Sequence, residues 1–136
     1  MAKFFSPEFF AQLQDALVHD AKWKESVNGL KTSIKLACVS GTERLEYLLK
    51  VEDGNTRIAS WEPNAQAEFS FEGTYETWTR VAKGEVDLKS AVLKGLMKFK
   101  GSITKLVLQE ERFVRIGQAM GSVPVEAQQP DERQGP

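Results

Sequence analysis

The sequence predicts an α+β fold, a two-layer sandwich in which helices cover one face of a five-stranded, mostly antiparallel sheet. Three observations carry that prediction. Apolar residues recur at helical spacing near both ends of the chain, first as Phe9, Phe10, Leu13, Ala16 and Leu17. Between those ends the period drops to two, so that each strand presents one apolar and one polar face. The chain has 136 residues, 41% hydrophobic and 27% charged, which suits one globular domain with one core.

Ser6, Pro7 and Glu8 mark a helix start, an N-cap followed by proline and an early acid, and the helix is expected to run to about Trp23. Asn28-Gly29 stops the turn that follows. From Lys31 onward Ile34, Leu36 and Cys38 alternate with Ser33, Lys35 and Ala37, up to a turn at Ser40-Gly41-Thr42. Leu45, Tyr47, Leu49 and Val51 form the next alternating run. Asp53-Gly54 after it is the strongest hairpin signal in the chain. Arg57–Trp61 is a short third strand that stops before Pro63, and Ala67, Phe69 and Phe71 give a fourth. These four strands are expected to form an antiparallel meander.

A helix is expected over Thr74–Ala82 with Trp78, Val81 and Ala82 inward, ended by Lys83-Gly84 with glycine in the left-handed position. Asp87 caps a second short helix carrying Leu88, Ala91 and Val92. Met97 and Phe99 alternate with Leu96, Lys98 and Lys100 in a fifth strand. After Gly101-Ser102 a single final helix is expected, with Ile103, Leu106, Val107, Phe113, Ile116 and Met120 as its apolar stripe. Residues 1–121 form the expected domain, and the polar, proline-rich residues 122–136 an expected disordered tail.

Several function classes find no support. The net charge of −1 gives no general attraction to nucleic acid. One cysteine, Cys38, permits neither an internal disulfide nor a zinc-type cluster, and it falls on an apolar strand face as a small core residue. The one histidine, His19, lies four residues after Asp15 on a helix, the spacing of a surface pair. Lys83-Gly84 lacks the preceding glycine spacing of a P-loop. No apolar run is long enough to span a membrane, and MAKFFSPEFF lacks the features of a signal peptide. The expectation is therefore a cytoplasmic protein that is not an enzyme and needs no cofactor.

The ordered series Phe71-Glu72-Gly73, Trp78, Lys83-Gly84-Glu85, Asp87, Ala91 and Gly95-Leu96-Met97-Lys98-Phe99-Lys100-Gly101 resembles the sterol carrier protein 2 (SCP2) sterol-binding domain. The resemblance extends in element order from about residue 9 to 120. It implies a five-stranded sheet with an apolar tunnel between sheet and helices. It also implies binding of fatty acids, acyl-CoAs, sterols or other lipids without catalytic residues. The chain lacks a C-terminal Ser-Lys-Leu and is most similar to a bacterial single-domain relative.

The expected lipid-binding residues are Phe69, Phe71 and Met97 from the sheet, Trp78, Leu88 and Val92 from the short helices, and Phe113, Ile116 and Met120 from the last helix. Trp78 fits equally a second role, pinning its helix to the sheet. Lys83, Lys89, Lys94, Lys98, Lys100 and Lys105 form a basic stretch, suited to an anionic head group or membrane surface, or simply to a solvated face. Glu110 interrupts the last apolar stripe and is expected at its edge. Two functions follow. The first is reversible burial of an apolar chain between the layers. The second is an accessory subunit with a vestigial cavity, docking on a lipid-metabolising or quinone-biosynthesis enzyme. A dry, packed interior with an exposed apolar patch favours the second.

Overall fold

A computed structural model of the protein describes residues 2–126. Its elements run α1 (Pro7–Val18), α2 (Ala21–Ser26), β1 (Thr32–Ser40), β2 (Glu43–Glu52), β3 (Asn55–Ser60), β4 (Phe69–Thr74), α3 (Tyr75–Ala82), α4 (Leu88–Leu93), β5 (Lys98–Lys100), α5 (Ile103–Leu108) and α6 (Glu110–Ser122). The five strands form one mixed sheet in the order β3-β2-β1-β4-β5.

The local signals act where the sequence puts them. Ser6 Oγ accepts from the Phe9 N–H, with Pro7 as the first helical residue. Asp87 and Thr74 cap α4 and α3 in the same way. Asp53 and Gly54 both take positive φ, 54° and 79°, as a two-residue hairpin between twisted strands requires. Their turn fixes the β2–β3 register at Glu52 opposite Asn55 and Val51 opposite Thr56.

Three expectations need correction. The four strands are not a simple meander. β4 lies parallel to β1, with Ile34 opposite Phe69 and Cys38 opposite Gly73, while the other pairings are antiparallel. The Trp61–Glu68 connection carries the chain back past β2 and β1, and the Glu68 N–H donates to the Ser33 carbonyl at its end. The first helix does not reach Trp23. It ends at His19, and Asp20 starts α2 by accepting from the Lys22 and Trp23 N–H groups. The final helix is two helices, divided at Gln109. Leu106 is the buried residue of α5, so Ile103 and Val107 leave the expected stripe for the surface.

The core lies between the sheet and the helices. Ile34, Leu36, Leu49, Val51, Phe69 and Phe71 point into it from the strands, Phe9, Phe10, Leu13 and Leu17 from α1, and Phe113, Ile116 and Met120 from α6. The opposite sheet face carries ion pairs. Arg44 bridges Glu46 and Glu72 at 3.0 and 2.7 Å, and Lys35 reaches Glu46 at 3.2 Å while its ammonium lies 4.3 Å from the Trp61 ring centroid. Beyond residue 121 Val123 is buried, and Val125 forms a parallel bridge with Ala2. The rest of the expected tail, residues 127–136, lies outside the described residues.

Candidate functional site

The sheet's alternation brings the expected site residues inward. Phe69 and Phe71 stand two apart on β4, and the antiparallel register sets Phe99 of β5 opposite Phe71. The short helices add Trp78 and Leu88, and α6 adds Phe113, Ile116 and Met120 at helical spacing. Eight of the nine expected residues are buried, and Val92 is packed against them while partly exposed. Phe113 meets Phe69 and Phe71 at centroid distances of 5.2 and 5.3 Å, and Phe71 meets Phe99 at 5.2 Å. Where the resemblance implies a tunnel, these rings touch one another.

Trp78 is a pin in this arrangement. It is fully buried, and its indole N–H donates to the Ala37 carbonyl of β1 at 2.8 Å. One bond thus satisfies the ring's polar group and ties α3 to the sheet centre.

Two surface clefts reach the expected set. One, about 660 Å³, lies between the α3–α4 turn and α6, with Val81, Val86, Phe113 and Gly117 among its apolar walls and Lys83 and Lys94 among its charged ones. The other, about 570 Å³, is lined by Phe4, Tyr75, Met120, Val123 and Val125 among others. Both include Ala82 and Gly121, and so flank the crossing of α3 and α6. A methyl group on Gly121 would stand 2.2 Å from the Ala82 carbonyl oxygen, so only glycine permits this approach.

A second aromatic group escaped the expected site. Phe4 and Phe5 precede α1 and are buried with Phe9, Phe10 and Tyr47. Phe5 meets Phe10 edge-on at 4.8 Å and Trp78 at 5.2 Å, and Phe10 stacks on Tyr47 at 4.0 Å. A sequence signal for Phe5 exists. Ser6 caps the helix, so Phe5 before it and Phe10 in its first turns have the spacing of a hydrophobic staple.

The titratable groups divide between surface and core. Glu110 pairs with Lys89 at 3.0 Å at the edge of α6 and stays out of the core. His19 sits on the α1 surface, with Nδ1 2.9 Å from the Asp15 carbonyl oxygen. Cys38 is buried, and burial, aided by the charge of Glu43, pushes its thiol up to about 11. In the basic stretch Lys105 reaches Glu68 at 2.9 Å and Lys98 reaches Glu72 at 4.0 Å. No group of three or more metal-ligating side chains occurs among the described residues. No helix among them is long and apolar enough to cross a membrane.

The comparison of sequences decides the family. Residues 10–111 match the SCP-2 sterol transfer family. The chain belongs to that family. A sequence comparison with curated proteins finds no match. Solved structures share the SCP-2 fold. A Thermus thermophilus protein described as possibly a sterol carrier protein superposes with a TM-score of 0.79 at 19% identity, covering 94% of each chain. A crystal structure of sterol carrier protein 2 gives 0.79 at 20% identity, covering 90% of this chain and 100% of its own. Sterol carrier protein 2 from Aedes aegypti, solved with the C16 fatty acid palmitate, gives 0.54 at 16% identity, covering 84% and 97%. At these identities the likeness concerns the SCP-2 fold, the five-stranded sheet with its helical cover.

Proposed function

We propose that the protein is a non-catalytic lipid carrier that buries an apolar chain between its sheet and its helices. The observation that carries this reading is the family's sequence pattern laid over an aromatic interior. Phe69, Phe71, Trp78, Leu88, Val92, Met97, Phe113, Ile116 and Met120 are the lining we assign to the chain site. Each methylene moved from water into such a lining contributes about 0.8 kcal/mol, so ten of them supply roughly 8 kcal/mol before the costs of ordering. A fatty acyl or prenyl chain therefore binds without a strong polar contact, and the site discriminates weakly between chains. Nothing in the reading needs a reaction. Cys38 holds its proton in the core, and His19 is engaged on the α1 surface.

Native mass spectrometry of the untreated protein, followed by titration with fluorescent long-chain fatty acids and prenyl lipids, tests the proposal. The expected result is a co-purified lipid mass or saturable uptake. Clean spectra with no response to any probe reject it.

The same reading places lipid exchange at an anionic surface. From Leu88 to Gln109 the chain carries five lysines and no acidic residue. Leu93, Ile103, Val107 and Leu108 in this stretch are exposed. A second reading draws on this observation together with the packed interior: those apolar side chains dock on a partner enzyme, and the core binds nothing. Lipid occupancy separates the two.

A further inference from the structure

The interior is filled in part by a segment that belongs to neither a helix nor a paired strand. Residues 2–5 precede α1 in irregular backbone, yet Phe5 is fully buried and Phe4 nearly so. The Phe4 ring packs edge-on against Phe9 at 4.9 Å and Tyr75 at 5.5 Å. Phe5 lies deeper, against Phe10, Tyr47 and Trp78. These two rings stand between α1, α3 and the β2 face of the sheet.

The polar ties of this segment lie mainly at its two ends, and at the α1 end the Lys3 carbonyl accepts from both the Ser6 N–H and the Ser6 hydroxyl. The Ala2 N–H donates to the Pro124 carbonyl at 3.4 Å, and the Ala2 carbonyl accepts from the Glu126 N–H at 2.8 Å. Tyr47 Oη donates to the Phe5 carbonyl at 3.4 Å, the weak end of hydrogen-bond geometry. Phe5 itself has φ of 63°, a left-handed conformation that a phenylalanine rarely adopts. The staple contact with Phe10 opposes release, but the Ser6 cap on α1 is made by its own side chain and survives without Phe5. The cleft of about 570 Å³ opens directly over this segment, with Phe4 in its wall. The Phe4 ring, in the cleft wall, meets Phe5 edge-on at 5.8 Å and so links the cleft to the space held by Phe5.

We propose that the seat of Phe4 and Phe5 is a binding site for the apolar chain of a lipid, and that the N-terminal segment occupies it in the unloaded protein as a substitute for the ligand. This rests on the lipid-carrier reading and extends the lining assigned above, past Trp78, into the N-terminal aromatic group. Withdrawal of residues 2–5 leaves a slot walled by Phe9, Phe10, Tyr47, Tyr75 and Trp78. The Trp78 N–H in that slot remains bonded to Ala37, while withdrawal parts the Tyr47 hydroxyl from the Phe5 carbonyl, so the wall offers a lipid aromatic faces for its chain and a hydroxyl for a polar end. The chain enters through the cleft as the segment leaves, and the two compete for one space. Apparent affinity is then reduced by the fraction of molecules in which the segment is out.

Because the segment is held through the Ala2–Val125 bridge, fixing that bridge fixes the plug. The full chain carrying Ala2→Cys and Val125→Cys is oxidised, and binding of a fluorescent C16 fatty acid is measured before and after dithiothreitol. The expected result is binding at least tenfold weaker when oxidised, restored on reduction. A Phe4→Ala/Phe5→Ala variant that retains a cooperative melt is expected to bind at least tenfold tighter than the parent. Should the variant fail to fold, the reversible lock still decides. A parent that binds the probe while the oxidised lock stays within twofold of it overturns the plug and leaves the carrier intact. A parent and a folded double-alanine variant that both ignore the probe overturn the carrier reading itself.

Discussion

Cys38 shows how one residue's surroundings set its chemistry. Its alternation with Ile34 and Leu36 made its burial legible in the sequence, and burial raises its thiol from the ordinary 9.0 to about 11. The native protein is therefore expected to resist iodoacetamide at pH 8 and to react once unfolded, read as a mass increase. Modification of the native protein at the unfolded rate would show the strand face to be open. The linkage has a definite sign. A folded value above the unfolded one contributes stability that is complete below about pH 9 and is lost as pH rises toward 11. Tyr47, whose hydroxyl burial also pushes up, acts in the same direction. At the acid end Glu72 is held below the ordinary 4.5 by its hydrogen bond from Arg44, and Glu68 by those from Thr32 and Lys105. For Glu46, burial raises the value, but Arg44 and Lys35 together outweigh it and the net shift is downward. These depressed carboxylates contribute stability above pH 4.5 that fades as pH falls through their folded values. Melting temperature across pH is expected to fall on both flanks, below about 4.5 and above about 9. A curve flat through both windows contradicts this account.

The elements divide according to which physical signal places them. Capped starts and the Asp53-Gly54 hairpin were legible because Ser6, Asp87 and Gly54 act within a few residues of themselves. The partner of β4 was not, because alternation tells which face is buried and is silent on which strand lies alongside. The α5–α6 break was hidden for a similar reason. Ile103 and Val107 keep the i,i+4 spacing of an apolar stripe, and Gln109 gives no glycine or proline signal. The α3–α6 crossing lies wholly beyond local pattern, yet it carries a sharp prediction. Gly121→Ala would press a methyl group against the Ala82 carbonyl at 2.2 Å, and is expected to cost ~2–3 kcal/mol in urea unfolding. Gly117→Ala meets the Val81 Cγ1 methyl at 3.3 Å and the Val81 carbonyl oxygen at an ordinary 3.8 Å, and gains helix propensity of ~1 kcal/mol, so the parent's stability is expected within about 1 kcal/mol. Equal effects at the two positions would contradict the close approach of these helices.

At the scale of the whole molecule, exposure and charge are unevenly distributed. Leu108 is 78% exposed and Leu93 59%, and both fall within the acid-free stretch from Leu88 to Gln109. Lys89 and Leu93 share a face of α4 at i,i+4 spacing, and Lys89 reaches Glu110, two residues beyond Leu108. The α4 face that carries Leu93 is thus tied to the start of α6, just beyond the exposed end of α5. Three of the five lysines already pair with acids, Lys89 with Glu110, Lys98 with Glu72 and Lys105 with Glu68, but exposed pairs of this kind are weak and exchange readily. An anionic bilayer offers such a surface both components at once, roughly 1 kcal/mol for each lysine near the head groups and roughly 1.5–3 kcal/mol for a fully buried leucine. The protein is expected to sediment with phosphatidylglycerol vesicles at low salt, to release them as salt rises, and to ignore neutral phosphatidylcholine vesicles. Leu108→Asp removes the most exposed large apolar side chain among the described residues and leaves the buried core untouched, so it is expected to weaken vesicle binding tenfold or more at unchanged melting temperature. Equal sedimentation of the parent and this variant, or binding indifferent to salt, would remove the bilayer as the occupant. Loss of a co-purifying protein from the variant, with vesicle binding intact, would assign this face to a partner enzyme instead.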